Sequence, residues 1–185
     1  MGAPDLVETD VVQPTVFLKN ASKKADNNMD LYHTKETIRY WTLVLGVLQI
    51  IVGCGVGFIP PTAVAWFRGI VMVHLEFTAN GVLIIVLALL VRELRLGAAV
   101  MWVWFALLQI GTWTNGGAGV LAAFLGASSP LMPTLNEKFP PPNGTDSPIV
   151  SASLKICGVT ILAALLLTLY GLLRSKPAAA NAAAA

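Results

Sequence analysis

Four uninterrupted apolar stretches dominate the chain, and each is long enough to cross a hydrocarbon core as a helix, which takes about 20 residues. They fall at roughly Tyr40–Pro60, Gly69–Val91, Gly97–Gly126 and Ile149–Leu173. They lack the period-two alternation of barrel strands and are about twice too long for them. In lipid the backbone must satisfy its own hydrogen bonds, so helices remain. Composition agrees: 12% of residues are charged and 56% hydrophobic, with mean hydropathy +0.72. Soluble domains carry about a quarter charged residues. The expected fold class is therefore all-α, an integral-membrane four-helix bundle. A net charge of +2 with scattered basic residues gives no nucleic-acid surface. Cys54 and Cys157 both lie in apolar stretches, which offers neither a disulfide scaffold nor a zinc cluster.

Residues 1–39 show no sustained period and read as a mobile cytoplasmic tail, 40–173 as the membrane domain, and 174–185 as a low-complexity, alanine-rich tail. The first span follows a polar stretch and has no small-residue cleavage site, so it reads as an anchor that stays. Nine lysines and arginines fall in the N-terminal tail, the second connection and the C-terminus, against Arg68 and Lys138 on the other side. The positive-inside rule then puts both termini in the cytoplasm of a multi-pass protein. Either a bacterial inner membrane or a eukaryotic endomembrane fits. Asn143-Gly144-Thr145, in the connection Ala127–Pro148, is either an N-glycosylation acceptor or an Asn-Gly turn. Asn20-Ala21-Ser22, a second acceptor pattern, falls in the cytoplasmic tail and is expected to stay unmodified.

Polar residues inside spans are costly and are functional candidates by default. They are Gln49, then His74, Glu76 and Asn80, then Gln109, Thr112, Thr114 and Asn115, and finally Lys155. At 1.5 Å of rise per residue, His74 and Glu76 lie roughly 8–10 Å into the second span and Asn80 roughly 16 Å. Asn115 comes out roughly 16 Å in and Lys155 roughly 9 Å, so Asn80 pairs in level with Asn115, and Glu76 with Lys155. Glu76 and Asn80 share a helix face, with His74 pointing elsewhere, toward Thr78 and Gly81. Glu76–Lys155 is expected as a structural ion pair that neutralises two charges and sets helix register. His74 is the single intramembrane histidine: it cannot build a tetrahedral zinc site. It could supply one axial haem ligand, leaving the opposite position open, or simply be a satisfied hydrogen-bonding residue. Gly53 and Gly57 read as close helix packing, whereas Gly111, Gly116, Gly117 and Gly119 read either as packing or as room for a flat cofactor. Trp102 and Trp104 read as interfacial or lipid-facing.

At His74-Leu75-Glu76, Asn80-Gly81 and Gly111-Thr112-Trp113-Thr114-Asn115 the chain resembles the family of hydroxylaminobenzene mutase and styrene oxide isomerase. The motifs cover about residues 69–130, and the four-span topology extends the resemblance to 40–173; their forms look nearer the mutase branch. The resemblance implies a small membrane isomerase that moves a group on an aromatic substrate without net redox change. It implies haem b (iron) between the subunits of a homotrimer, its ferric iron acting as a Lewis acid. His74 would be the axial metal ligand, Gly81 a cofactor neighbour, and Asn80 and Asn115 the residues that orient substrate. Partners would be a small apolar aromatic molecule, membrane lipid and further copies of the chain. One position departs from the isomerase branch, which has a pocket tyrosine where this chain has Gly119. A roomier site or a different substrate fits that change, and the resemblance implies either an arylhydroxylamine-to-aminophenol or an epoxide-to-aldehyde shift. The competing expectation is a non-enzymatic tetraspan scaffold, in which the same polar residues only hold helices together.

Overall fold

The computed structural model describes residues 14–174, with side chains described from residue 28 onward. Among the described residues there are five α-helices and no strand: α1 Pro14–Val56, α2 Phe67–Leu90, α3 Ala98–Leu125, the short α4 Pro133–Lys138, and α5 Pro148–Leu173. A single 3-10 turn, Pro61–Ala63, joins α1 to α2. The fold is all-helical, as the apolar runs predict. Residues 1–13 and 175–185, including most of the alanine-rich tail, and the side chain of Asn20 lie outside what is described.

The first boundary differs from expectation. The helix does not begin near Tyr40; residues 14–39 of the expected tail belong to α1, which runs for 43 residues. Pro14 sits at its start, where a missing N–H costs nothing, and neither glycine nor proline interrupts the chain again before Gly46. Tertiary contacts hold the segment that precedes Tyr40. Ile38 is fully buried against Leu87, Val91 and Leu94. Arg92 makes a two-pronged bond to Glu36, Nε to Oε1 at 2.8 Å and a terminal nitrogen to Oε2 at 2.9 Å. Lys35 Nζ donates to the Arg92 carbonyl at 3.0 Å.

Among the described residues, three segments are long and apolar enough to cross a membrane: Asn28–Val56, Phe67–Leu90 and Pro148–Leu173. The third expected span, α3, has the length at 28 residues but is not among them, and its middle carries Gln109, Thr112, Thr114, Asn115 and four glycines. It packs against α2, α5 and, more lightly, α1.

Glycine sets the helix spacings. A Cβ added at Gly81 would stand 2.7 Å from the Gly46 carbonyl oxygen, so α1 and α2 cross with backbones in contact. Across α2 and α3, Gly116 accommodates the Phe77 ring, where an added Cβ would come within 2.5 Å. Phe77 in turn meets Trp113 edge to face at 5.4 Å. Trp104, expected to face lipid, is fully buried instead, its Nε1 donating to Thr168 Oγ1 of α5 at 2.8 Å; Trp102 is exposed as expected. The physical reason is the indole N–H, which finds a buried hydroxyl as partner.

Two apolar cores result. One, around Ile38, Ile84, Leu94, Met101, Trp104 and Leu108, lies at the end that carries the α2–α3 connection. The other, around Trp66, Ala118, Ala122 and Val150, lies at the opposite end. α3 stops at Gly126, whose φ of 62° suits glycine. There Asn143 Nδ2 donates to the Leu125 carbonyl at 2.7 Å, and Gly144 turns the chain at φ 95°. Asn143-Gly144 thus makes the turn, and its amide stops a helix end. The Arg95 N–H donates to the Gly171 carbonyl at 3.2 Å, which ties the α2–α3 connection to the end of α5.

Candidate functional site

Between the two cores lies a polar layer contributed by three helices. Gln49 of α1 is fully buried and donates through Nε2 to Thr112 Oγ1 at 2.9 Å. Thr112 passes its own proton back to the Leu108 carbonyl, also at 2.9 Å. Asn80 of α2, only 7% exposed, donates through Nδ2 to the Thr112 carbonyl at 3.3 Å. The sequence names all three residues, but the junction itself is visible only once α3 is rotated into place. Gln49 Oε1 and both amide atoms of Gln109 are buried without hydrogen-bond partners beside this layer.

His74 lies in the second turn of α2 and faces α1, not the polar layer. Its Nδ1 stands 2.8 Å from the Gly53 carbonyl oxygen. A carbonyl only accepts, so the neutral ring carries its proton on Nδ1 and presents a lone pair at Nε2. Nε2 has no partner among the described residues. This is the arrangement of a ligating histidine, oriented by a backbone carbonyl through its other nitrogen. His74 lines a groove of about 340 Å³ with Cys54, Gly57, Phe58, Phe67 and Ile70. Gly57 keeps it open, since even a Cβ there would lie 3.5 Å from His74 Nδ1. The ring, its second-layer carbonyl and the apolar walls fit one axial ligand to a flat hydrophobic group. Among the described residues no cluster of three or more metal-binding side chains occurs.

The residues expected to surround His74 are not all beside it. Gly81 faces Gly46 and Ile50 of α1, and packing fills the space that a cofactor neighbour would need. Asn80 turns toward α3. Asn115 is half-buried and makes no hydrogen bond among the described residues. It lies three residues past Thr112, which meets α1 and α2, and four past Gly111, which packs on α5, so it looks between those neighbours. With Asn80 opposite Thr112 and Phe77 opposite Gly116, Asn80 and Asn115 stand within a helical turn of one level.

The Glu76–Lys155 ion pair is not formed. Glu76 Oε2 is buried without a partner, and the α5 residue in electrostatic reach is Cys157. Cys157 is two residues beyond Lys155, about 200° round the helix, so Lys155 points outward. Equal depth was met without equal azimuth. Of the four glycines in α3, Gly111, Gly116 and Gly119 are in tight contact with neighbouring helices, and only Gly117 has open space beside it. A Cβ at Gly119 would lie 2.7 Å from Val73 Cγ2.

A family model described as styrene oxide isomerase covers residues 38–173, most of the chain. No curated protein and no solved structure matches it.

Proposed function

Because the chain belongs to the styrene oxide isomerase family, we propose that it is a multi-pass membrane isomerase with cytoplasmic termini, carrying out a redox-neutral 1,2-shift on a small aromatic substrate. The observation that carries the site is the His74 ring, held by the Gly53 carbonyl with Nε2 free at an apolar groove. We assign His74 as the residue that would hold haem b. When bound, ferric haem would supply a Lewis acid suited to polarising an N–O or C–O bond. The chain does the rest. Phe58, Phe67 and Ile70 would keep water from the substrate as positive charge develops on it. Asn115 has an uncommitted amide on the α3 side of α2, so in this proposal it reaches substrate at His74 from a second copy of the chain, and Asn80 is a positioning residue that fixes the rotation of α2 through Thr112.

The arylhydroxylamine-to-aminophenol reaction fits better than epoxide-to-aldehyde. The position of the isomerase tyrosine is Gly119, and contact with Val73 leaves no space for a ring there. Migration of hydroxyl from nitrogen to the ortho carbon asks the protein mainly for placement and dryness. The His74 groove is open on one side, so a homotrimer that closes it with a second copy completes the proposal.

The test is a visible absorption spectrum of the detergent-purified protein, oxidised and reduced, beside His74→Ala. A Soret band at one haem per chain, lost in the variant, is expected, with conversion of phenylhydroxylamine to 2-aminophenol in the absence of any reductant. A colourless protein that takes up no added hemin overturns the cofactor. A haem-loaded protein inert toward arylhydroxylamines and epoxides overturns the reaction.

A further inference from the structure

Lys155 is a cation inside the membrane-crossing helix α5, and among the described residues it has neither an ion pair nor a hydrogen bond. It stands at the boundary of two grooves on the outer surface. Toward the start of α5 is a groove of about 470 Å³, which Lys155 shares with Asp146, Ser151 and Leu131. Down the helix is a second of about 310 Å³, which it shares with Ile156, Val159 and Thr160. The first is walled by a built connection: Ser129 and Ser151 hydroxyls bond at 2.8 Å, and the Ser147 N–H donates to the Ser128 carbonyl at 2.9 Å. Within that wall, Ser128 Oγ also bonds Asn136 Oδ1. The second groove is apolar and fully open, with Val159 70% exposed.

Asp146 also has no partner among the described residues, although it shares a groove with an unpaired lysine. A positive and a negative side chain that line one groove yet are unpaired, beside an open apolar stretch of α5, match an amphiphile with both charges in its head. We propose that this surface binds a phospholipid whose headgroup carries a phosphate and a primary ammonium, as in phosphatidylethanolamine. Lys155 takes the phosphate, Asp146 the ammonium, and one acyl chain lies along Ile156 and Val159. Lys155 is seven residues into α5, roughly 10 Å below its start, and a lysine stem at that depth reaches up to the headgroup level. The site is separate from the His74 groove and does not depend on the proposed reaction.

The experiment uses the full-length protein, delipidated in detergent and titrated with phosphatidylethanolamine or phosphatidylglycerol under native mass spectrometry. Lys155→Gln is expected to lower occupancy by both lipids about tenfold, the scale of one charge-assisted hydrogen bond, and Lys155→Arg to keep it. Asp146→Asn is expected to erase the preference for phosphatidylethanolamine over phosphatidylglycerol while leaving total binding high. Circular dichroism checks that each variant is folded, which surface positions allow. Equal lipid retention by Lys155→Gln and the native chain would mean nonspecific annular lipid and overturn the proposal. So would an unchanged lipid preference in Asp146→Asn.

Discussion

Single atoms decide most of what happens around His74. The Gly53 carbonyl settles which nitrogen is free, and Gly57 settles how much space lies next to the ring. Gly57→Leu should therefore fill the groove and abolish haem uptake while the helical content by circular dichroism stays native. Gly119→Tyr tests the departure from the isomerase branch. With Val73 already in contact, the ring must displace α2, and a loss of about 1–3 kcal/mol in unfolding free energy is expected, without gain of epoxide isomerisation. At the polar layer, Thr112→Val strands the buried Gln49 amide. Hydrogen bonds between membrane helices are worth about 0.6 kcal/mol on average and up to about 2. A loss in that range is expected, and Gln49→Leu in the same chain should recover part of it, because no amide is then left unpaired. A double-mutant cycle in mild detergent reads both terms.

The helices themselves were legible because a run of about 20 apolar residues has few physical alternatives in lipid. Their outer limits were less so. The α1 extension carries no amphipathic stripe, and what holds it near Tyr40 is tertiary: Ile38 in a core and Glu36 on Arg92, 56 residues away. Arg92→Ala should release that end, seen as faster amide exchange across residues 28–39 with protection in α2 and α5 retained. Depth was likewise readable and azimuth was not. Rise per residue gives the level of Glu76 and Lys155 correctly enough to put Cys157 opposite Glu76, but the rotation of α5 is set by Gly111 meeting Ile161, a contact between two helices far apart in sequence. His74 stood out as the one intramembrane histidine. Its bond to Gly53 did not, since a glycine in a span signals proximity without naming its neighbour.

In the molecule as a whole, the functional groups are divided between two faces of α2. His74 looks toward α1 and the outside, while Glu76, Asn80 and, across from them, Asn115 look toward α3 and α5. The chain therefore carries its imidazole on one flank of α2 and its amides on the other. The His74 groove also opens sideways, between the last turn of α1 and the first turns of α2, where Phe58 is 88% exposed. Its walls are apolar side chains, so under the proposed reaction an apolar substrate is expected to reach it from the lipid phase, and the concentration that matters is then its partitioned one. Reaction rates in proteoliposomes should then fall when empty vesicles are added at constant total substrate, and recover when the substrate-to-lipid ratio is restored.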